Sequence, residues 1–403
     1  MLPGPEQEAP GAAAGRVGYT APAALREMWR QAPVREVATE SGGKAWLATG
    51  MREVRTVLSD PRFSRAEAHR LGAVIGTAAI FSKPGILDLD PPEHSRLRRL
   101  VAGAFSARRV RALRPRIQQI TDELIGAMAA GGPPADLAAS LCFPLPIAVI
   151  CEILGVPYED RERFRGWSER VMSTSAYPPG EAMDALTSLT GYIAGLVAAK
   201  RREPDASLLR DLITARDEQD RLSEDELVHL GFGLLVAGHE TTANMLAKGL
   251  LALLDNPAQL AALRGDPELV QSAVEEVLRY VTLGARPYGG LVRATTCEAE
   301  LAGVTIPAHS VVFASTSAAN LDPGAFPAPD RLDVTRDGAG AHLTFGHGPH
   351  HCLGAQLARM EMEVAFGSVL AAFSGLRLAV PAAELAYTEG MLITGLRALP
   401  VTW

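Results

Sequence analysis

Apolar residues recur with a helical period from Leu227 to Leu254, after Ser223-Glu224-Asp225-Glu226 and before Asn256-Pro257. Ser at the N-cap with Glu three residues on is a capping box, and the Asn-Pro pair is a stop. The pattern predicts the longest helix of the chain, on the order of 45 to 50 Å at 1.5 Å per residue, enough to cross a whole domain. In its middle, Ala237-Gly238-His239-Glu240-Thr241-Thr242 interrupts good helix formers such as Leu234 and Leu235. A carboxylate at Glu240 in that setting is costly without a purpose. Thr241 and Thr242 bonding back to carbonyls one turn earlier would explain only a local bend.

Asp266-Pro267-Glu268 opens another helix with an N-cap and a proline at N1, and this helix carries Glu276 and Arg279 on one face. Taken alone, such an i,i+3 pair is a solvated salt bridge worth about 0.3 kcal/mol. A further helix begins at Asp90-Pro91-Pro92-Glu93 and sets His94 and Arg98 one turn apart on a basic face. Strand signals are short: Gly290–Ala294, Leu301–Ile306 and Val311–Ala314. The fold class expected from these elements is mainly α with a small β region.

The chain has 403 residues, so a prior of about 150 residues per domain allows two or three domains or one large one. No Ser/Gly-rich or Pro-rich linker divides it, which favours a single domain over residues 16–403 behind a loose Pro-, Gly-, Ala- and Glu-rich tail, residues 1–15. That tail has neither a basic start nor an apolar run of signal or membrane length, so the expectation is a cytoplasmic protein with no membrane anchor. Net charge is −7, which implies no general nucleic-acid affinity. Only four of the 39 basic residues are lysines (Lys44, Lys83, Lys200 and Lys248), a bias typical of a GC-rich bacterial genome. Four cysteines without a paired pattern point to a reducing compartment. Cys142 and Cys151 lie in an apolar stretch and suit a core, and Cys297 suits a structural or surface thiol.

Cys352 is different. It lies in Phe345-Gly346-His347-Gly348-Pro349-His350-His351-Cys352-Leu353-Gly354, where glycines let the backbone turn tightly and approach a flat cofactor. Cys352 with His347, His350 and His351 also has the side-chain types of a zinc site. Adjacent residues such as His351 and Cys352 rarely reach one tetrahedral ion together, and no second Cys or His pair sits at finger-like spacing.

The run resembles, position for position, the Phe-Gly-x-Gly-x-His-x-Cys-x-Gly signature of the cytochrome P450 family. Its other hallmarks recur from Asp60-Pro61-Arg62-Phe63-Ser64 to the closing Gly395–Val401. The resemblance implies a cytochrome P450 fold, haem b as cofactor with Cys352 as axial thiolate, and O2 as co-substrate. It places His94, Arg98, Arg293 and His350 on the haem propionates, where cationic donors suit buried carboxylates. Gly238 would let the long helix open, and Glu240 with Thr241 would relay protons to bound dioxygen; His239 receives no catalytic role. Glu276 and Arg279 would lock to Arg331 as a structural triad behind the cysteine loop. One departure is Leu321 in Ala319-Asn320-Leu321-Asp322-Pro323, where relatives usually carry Arg.

By position in the family, the substrate pocket draws on Ala73–Ile86, Met172–Tyr177, Leu235, Ala237 and Gly238, Gly284–Tyr288 with Arg286 and Tyr288 as polar exceptions, and Met391, Leu392 and Ile393. The implied reaction is monooxygenation, most simply hydroxylation, of a medium-sized natural product such as a polyketide or cyclic peptide in bacterial secondary metabolism. Oxidative carbon–carbon or carbon–nitrogen coupling of an aromatic or cyclic-dipeptide substrate is the alternative on the same haem. A non-catalytic haem sensor would need no Glu240–Thr241 pair. The chain contains no flavin or NAD-binding module, so electrons are expected from a separate ferredoxin and ferredoxin reductase docking near Arg96, Arg99, Arg108, Arg109 and Arg111.

Overall fold

A computed structural model describes residues 18–20, 31–39, 43–73, 84–219, 221–284 and 290–403. The Met1–Gly15 tail, Arg286 and Tyr288, and most of the Ala73–Ile86 segment lie outside the described residues.

The long helix forms as its pattern predicts, over Glu224–Leu254. The capping box is complete: Ser223 Oγ accepts from the Glu226 backbone N–H at 3.2 Å, and the Glu226 carboxylate accepts from the Ser223 N–H at 2.7 Å. Its C-terminal half is buried on every side, from Thr242 to Leu253. Helices Pro144–Leu154 and Pro179–Arg202 and the π-turn Ala138–Cys142 pack around it. The largest buried cluster gathers there, with Cys142 and Cys151 inside it. Burial pushes the Cys151 thiol up to about 12, so it is inert. Pro179–Arg202 is by length and composition apolar enough to cross a membrane, but here Leu186, Leu189, Ile193 and Val197 are buried in that same cluster.

Asp266 caps a 3-10 turn, Pro267–Leu269, which continues as the helix Val270–Tyr280. The basic helix after Asp90 runs over Glu93–Ala102. Helix Ala355–Ala372 follows the cysteine loop and packs against both Val270–Tyr280 and Ala107–Gly131.

Among the described residues the β region is three small sheets. The main one has strands β1 (Val34–Ala38), β2 (Lys44–Ala48), β3 (Phe63–Ser64), β5 (Gly290–Thr295) and β8 (Val311–Ser315), in the order β1-β2-β8-β5-β3. In this sheet β2 and β8 pair in parallel, and β1–β2, β5–β8 and β3–β5 pair antiparallel. β4 (Ala135–Asp136), β9 (Arg377–Leu378) and β10 (Pro400–Thr402) form the second sheet. The signal at Leu301–Ile306 is not one strand but a hairpin, β6 (Ala299–Leu301) and β7 (Val304–Ile306). Leu301 pairs with Val304 across Ala302 and Gly303, both at positive φ (50° and 75°), which is the backbone of a two-residue turn.

Candidate functional site

The cysteine loop is built by two left-handed glycines. Gly346 (φ 72°) and Gly348 (φ 70°) turn the chain, and a side-chain carbon at Gly348 would sit 2.5 Å from the Leu58 carbonyl oxygen. Only glycine lets the loop lie against the end of helix Met51–Ser59. The loop is closed by Gly346 N–H to Leu343 O (2.8 Å), His351 N–H to Gly348 O (3.0 Å) and Cys352 N–H to Phe345 O (2.8 Å). Cys352 is exposed, although the protein around its sulfur desolvates it enough to raise the thiol pKa. The Gly354 N–H, Arg98 and Arg359 act the other way and favour the thiolate.

Behind the loop, Glu276 and Arg279 are both fully buried and joined by two hydrogen bonds, of 2.7 and 2.8 Å. The expected third member was Arg331; the structure puts Arg336 there instead, its Nε 3.0 and 3.1 Å from the two Glu276 oxygens. Arg331 contributes only its carbonyl, which accepts from Arg279 and Arg336. The reason lies in the path of the loop: Ala328 sits at φ 47°, and the Pro327, Ala328 and Arg331 carbonyls all accept from Arg336. Arg279 also donates to the carbonyls of Asn320 and Pro329. Asn320 carries the link forward, its side chain accepting from Leu343 N–H and donating to Thr344 Oγ1, two residues from the loop's first glycine. Leu321 is simply buried in this region.

A further set of contacts that the sequence does not announce ties the helix Val270–Tyr280 to the cysteine loop and the helix after it. Glu275 accepts from Arg359 (2.5 and 3.1 Å) and bonds His342 (3.1 Å), while the Arg359 guanidinium lies 4.6 Å from the centre of the Phe345 ring. Glu275 is adjacent to the recognised Glu276, but Arg359 lies five residues beyond Gly354 on another helix, and nothing in the local spacing joins the two.

The propionate candidates do converge. The His94 and His350 rings lie 4.1 Å apart, and Arg293 on β5 is 4% exposed. Arg98 donates to His351 O at 2.6 Å. Arg65, not singled out from sequence, joins them through Leu87 O (2.7 Å), Val292 O (3.2 Å) and the Asp88 carboxylate (3.4 Å), all remote in sequence. Burial, then Arg65, lowers Arg293 to about 10; burial and the nearby cations push His350 down to about 3. His94 Nδ1 and His350 Nε2 are buried without a protein partner. Buried polar atoms are normally satisfied, so a cationic cluster with two orphaned imidazole nitrogens fits an anionic group such as a carboxylate.

In the long helix, a side-chain carbon at Gly238 would come within 2.7 Å of Ile150 Cδ1. Here close packing explains the glycine, and the helix runs unbroken through it. Thr241 Oγ1 donates to Ala237 O (2.8 Å), and Asn244 Nδ2 to Glu240 O (2.8 Å). Burial, reinforced by Glu169 and opposed by Arg165, raises the Glu240 carboxyl to about 7. His239 takes part after all in its surroundings: Nδ1 lies 2.7 Å from Leu235 O and so carries the proton, leaving Nε2 an acceptor 3.6 Å from Glu240 Oε1. Burial lowers His239 to about 4, so it is neutral at pH 7.

Ala237 is exposed in the middle of the helix, next to buried Val236, with Gly238, Glu240 and Thr241 partly open beside it, which marks the wall of a cleft. Leu235, expected beside it, has no exposure and belongs to the core instead. Of the other expected pocket segments, residues 172–177, Gly284 and residues 391–393 meet among the described residues. Leu392 N–H donates to Met172 O, three successive N–H groups from Thr174 to Ala176 converge on Gly390 O, and Gly284 bridges to Ile393. Met391 is nearly sealed, whereas Leu392 and Ile393 are partly open. Among the described residues no three or more of His, Cys, Asp and Glu gather as a zinc cage requires.

The chain is 45% identical to the mycinamicin IV hydroxylase/epoxidase of Micromonospora griseorubida, with 96% of each chain covered. It belongs to the cytochrome P450 family. The family model described as "Cytochrome P450" matches residues 181–378. The nocardicin C N-oxygenase of Nocardia uniformis subsp. tsuyamanensis is 46% identical over 92% of both chains. Among solved structures, the LnmA cytochrome P450 hydroxylase of the leinamycin pathway of Streptomyces atroolivaceus superposes with a TM-score of 0.87 at 46% identity, covering 97% of this chain and 99% of that one. The fold is therefore the cytochrome P450 fold, and the enzyme class is that of a P450 monooxygenase, with haem iron and O2 implied by the family.

Proposed function

We propose that this P450 binds haem b through Cys352 and hydroxylates a medium-sized natural product, of polyketide or cyclic-peptide type, in bacterial secondary metabolism. The observation that carries the haem placement is the pair of buried, unpartnered nitrogens on His94 and His350 beside Arg293. Those residues, with Arg98, would hold the propionates. Thiolate-ligated haem, when bound, supplies reductive activation of dioxygen. The protein's share is orientation, water exclusion and proton supply. Glu240, with an ionisation near 7, can lend and retake a proton at neutral pH, and Thr241 is the hydroxyl next to it on the wall of the cleft. The cysteine loop's fixed backbone presents Cys352, and Glu276–Arg279–Arg336 holds that loop from behind.

The substrate class is supported by the partly open apolar edge at Leu392 and Ile393 and by relatives that act on mycinamicin IV and nocardicin C by name. One large buried cluster spanning Tyr19 to Val401 supports a single domain. Electrons would come from a ferredoxin and its reductase. Of the expected docking arginines, Arg96 is committed to Glu226 and to Arg221 O, and Arg109 lies 3.5 Å from Asp211; Arg99, Arg108 and Arg111 are exposed.

The test is to incubate the reconstituted enzyme, with ferredoxin, reductase and NAD(P)H, with panels of macrolides and cyclic peptides. A product heavier by one oxygen, labelled from 18O2, supports the reading. A coupled product without added oxygen would replace hydroxylation by oxidative coupling.

A further inference from the structure

Lys248 is one of four lysines in the chain, and it has no solvent exposure at all. It stands on the long helix in a run where every residue from Thr242 to Leu253 is buried. Nothing in the monooxygenase reading uses it, and a buried ammonium is expensive. Its position is informative: Ala237, Thr241, Asn244 and Lys248 follow one another at steps of four, three and four, so they form one stripe on the helix. The stripe begins at the cleft wall and ends beneath the pocket edge.

Lys248 Nζ donates to Thr282 O at 2.9 Å. Thr282 is held on two further sides, by Tyr19 O (2.9 Å) and Ser317 Oγ (2.9 Å). The residues after it run straight into the pocket edge, since Leu283 O accepts from Thr394 N–H and Gly284 bridges to Ile393. One turn before Lys248, Asn244 lies so close to Gly395 that any side chain there would collide with its amide oxygen. Two consecutive polar residues of one helical stripe thus seat the two segments that edge the cleft.

We propose that Lys248 is a positioning residue for the distal pocket: by holding Thr282 O it sets where Thr282–Gly284 and, through them, Ile393–Thr394 stand over the long helix. This rests on the proposed pocket. It also makes ligand affinity respond to pH. Burial lowers the Lys248 amine from 10.5 to about 7. The titratable groups around it are Tyr387, whose ring centre is 6.0 Å from Nζ, and the hydrogen-bonded pair Tyr19–Asp255 with Tyr280 beside it. Burial holds the Tyr19 and Tyr387 phenols above their usual range, so neither ionises between pH 6 and 9. As pH rises through about 7, the charge-assisted bond to Thr282 becomes an ordinary one and the edge loosens.

The experiment uses the haem-loaded ferric protein, with 4-phenylimidazole as a probe that fills the pocket and imidazole as one too small to reach its edge. Both are titrated by the Soret shift from pH 6 to 9, in the unaltered enzyme, in Lys248→Met and in Lys248→Gln, which keeps a donor but cannot ionise. Affinity of the unaltered enzyme for 4-phenylimidazole falls with an inflection near pH 7 relative to both variants, and Lys248→Met binds it about three- to tenfold more weakly at pH 6, the size of one lost hydrogen bond. Imidazole titrations coincide in all three. Superimposable 4-phenylimidazole profiles would overturn the proposal. A change in imidazole binding, or in the reduced carbon monoxide spectrum, would instead place the fault in the haem site and the reading built on it.

Discussion

Two buried charged regions flank the cysteine loop and are solved in opposite ways. Behind it, Glu276, Arg279 and Arg336 form a closed hydrogen-bond network: both guanidiniums share the Glu276 carboxylate, and their surplus donors end on the carbonyls of Asn320, Pro327, Ala328, Pro329 and Arg331. On the other side, His94 and Arg293 are as deeply placed and His350 is half-buried beside them, yet two buried imidazole nitrogens have no protein partner and the nearby cations raise one another's cost. A saturated network is scaffold, and an unsaturated one is a receptor. The long helix shows a related contrast within one element, with Asn244 and Lys248 hydrogen-bonded to backbone carbonyls below and the raised carboxyl of Glu240 above.

The largest effect should come from breaking the saturated network. Arg336→Met leaves the Glu276–Arg279 pair charge-balanced but strips the Nε bonds from the buried Glu276 carboxylate and the donors from the Pro327, Ala328 and Arg331 carbonyls; it should cost on the order of 3 kcal/mol, seen as a lower midpoint in urea and poor haem retention. Arg331→Ala, which keeps the carbonyl, should stay within about 0.5 kcal/mol. Equal losses would return Arg331 to the triad.

Glu240→Gln should lower substrate turnover by on the order of 10²-fold or more while leaving haem content unchanged. Its stability signature has a definite sign. The folded carboxyl titrates near 7 against 4.5 unfolded, so the folded protein holds the extra proton and loses stability as pH rises through that window. Glu240→Gln removes that slope, and thermal melting from pH 4.5 to 8 checks it. A smaller change is expected in the receptor region. His350→Phe or Arg293→Leu should speed haem transfer to apomyoglobin by about tenfold, the scale of one lost hydrogen bond to a charged group, without lowering the melting temperature of the haem-free protein. The smallest effect belongs to the surface: Arg99→Glu with Arg109→Glu should slow reduction by ferredoxin at low salt, with the difference vanishing at high salt.

What was legible in the sequence follows the same divide. Local signals were reliable, as at the Ser223 capping box, the Gly346 and Gly348 turns and the Glu276–Arg279 spacing, because each is written within a few residues. Choosing Arg331 over Arg336 failed because both sit in one loop and only its path past Ala328 decides which side chain turns inward. The Leu301–Ile306 strand hid its own turn at Ala302-Gly303. Arg65 and Lys248 gave no local sign, since their acceptors, Val292 O and Thr282 O, come from distant parts of the chain. Leu235 failed through phase, one side of the long helix facing the cleft at Ala237 and the other the core.

The most direct test of the central claim is the absorption spectrum of the reduced, carbon monoxide-bound protein, compared with Cys352→His. A strongly red-shifted Soret band that is lost in Cys352→His is the predicted result. A colourless protein, or a band typical of histidine ligation that the substitution leaves in place, would contradict it.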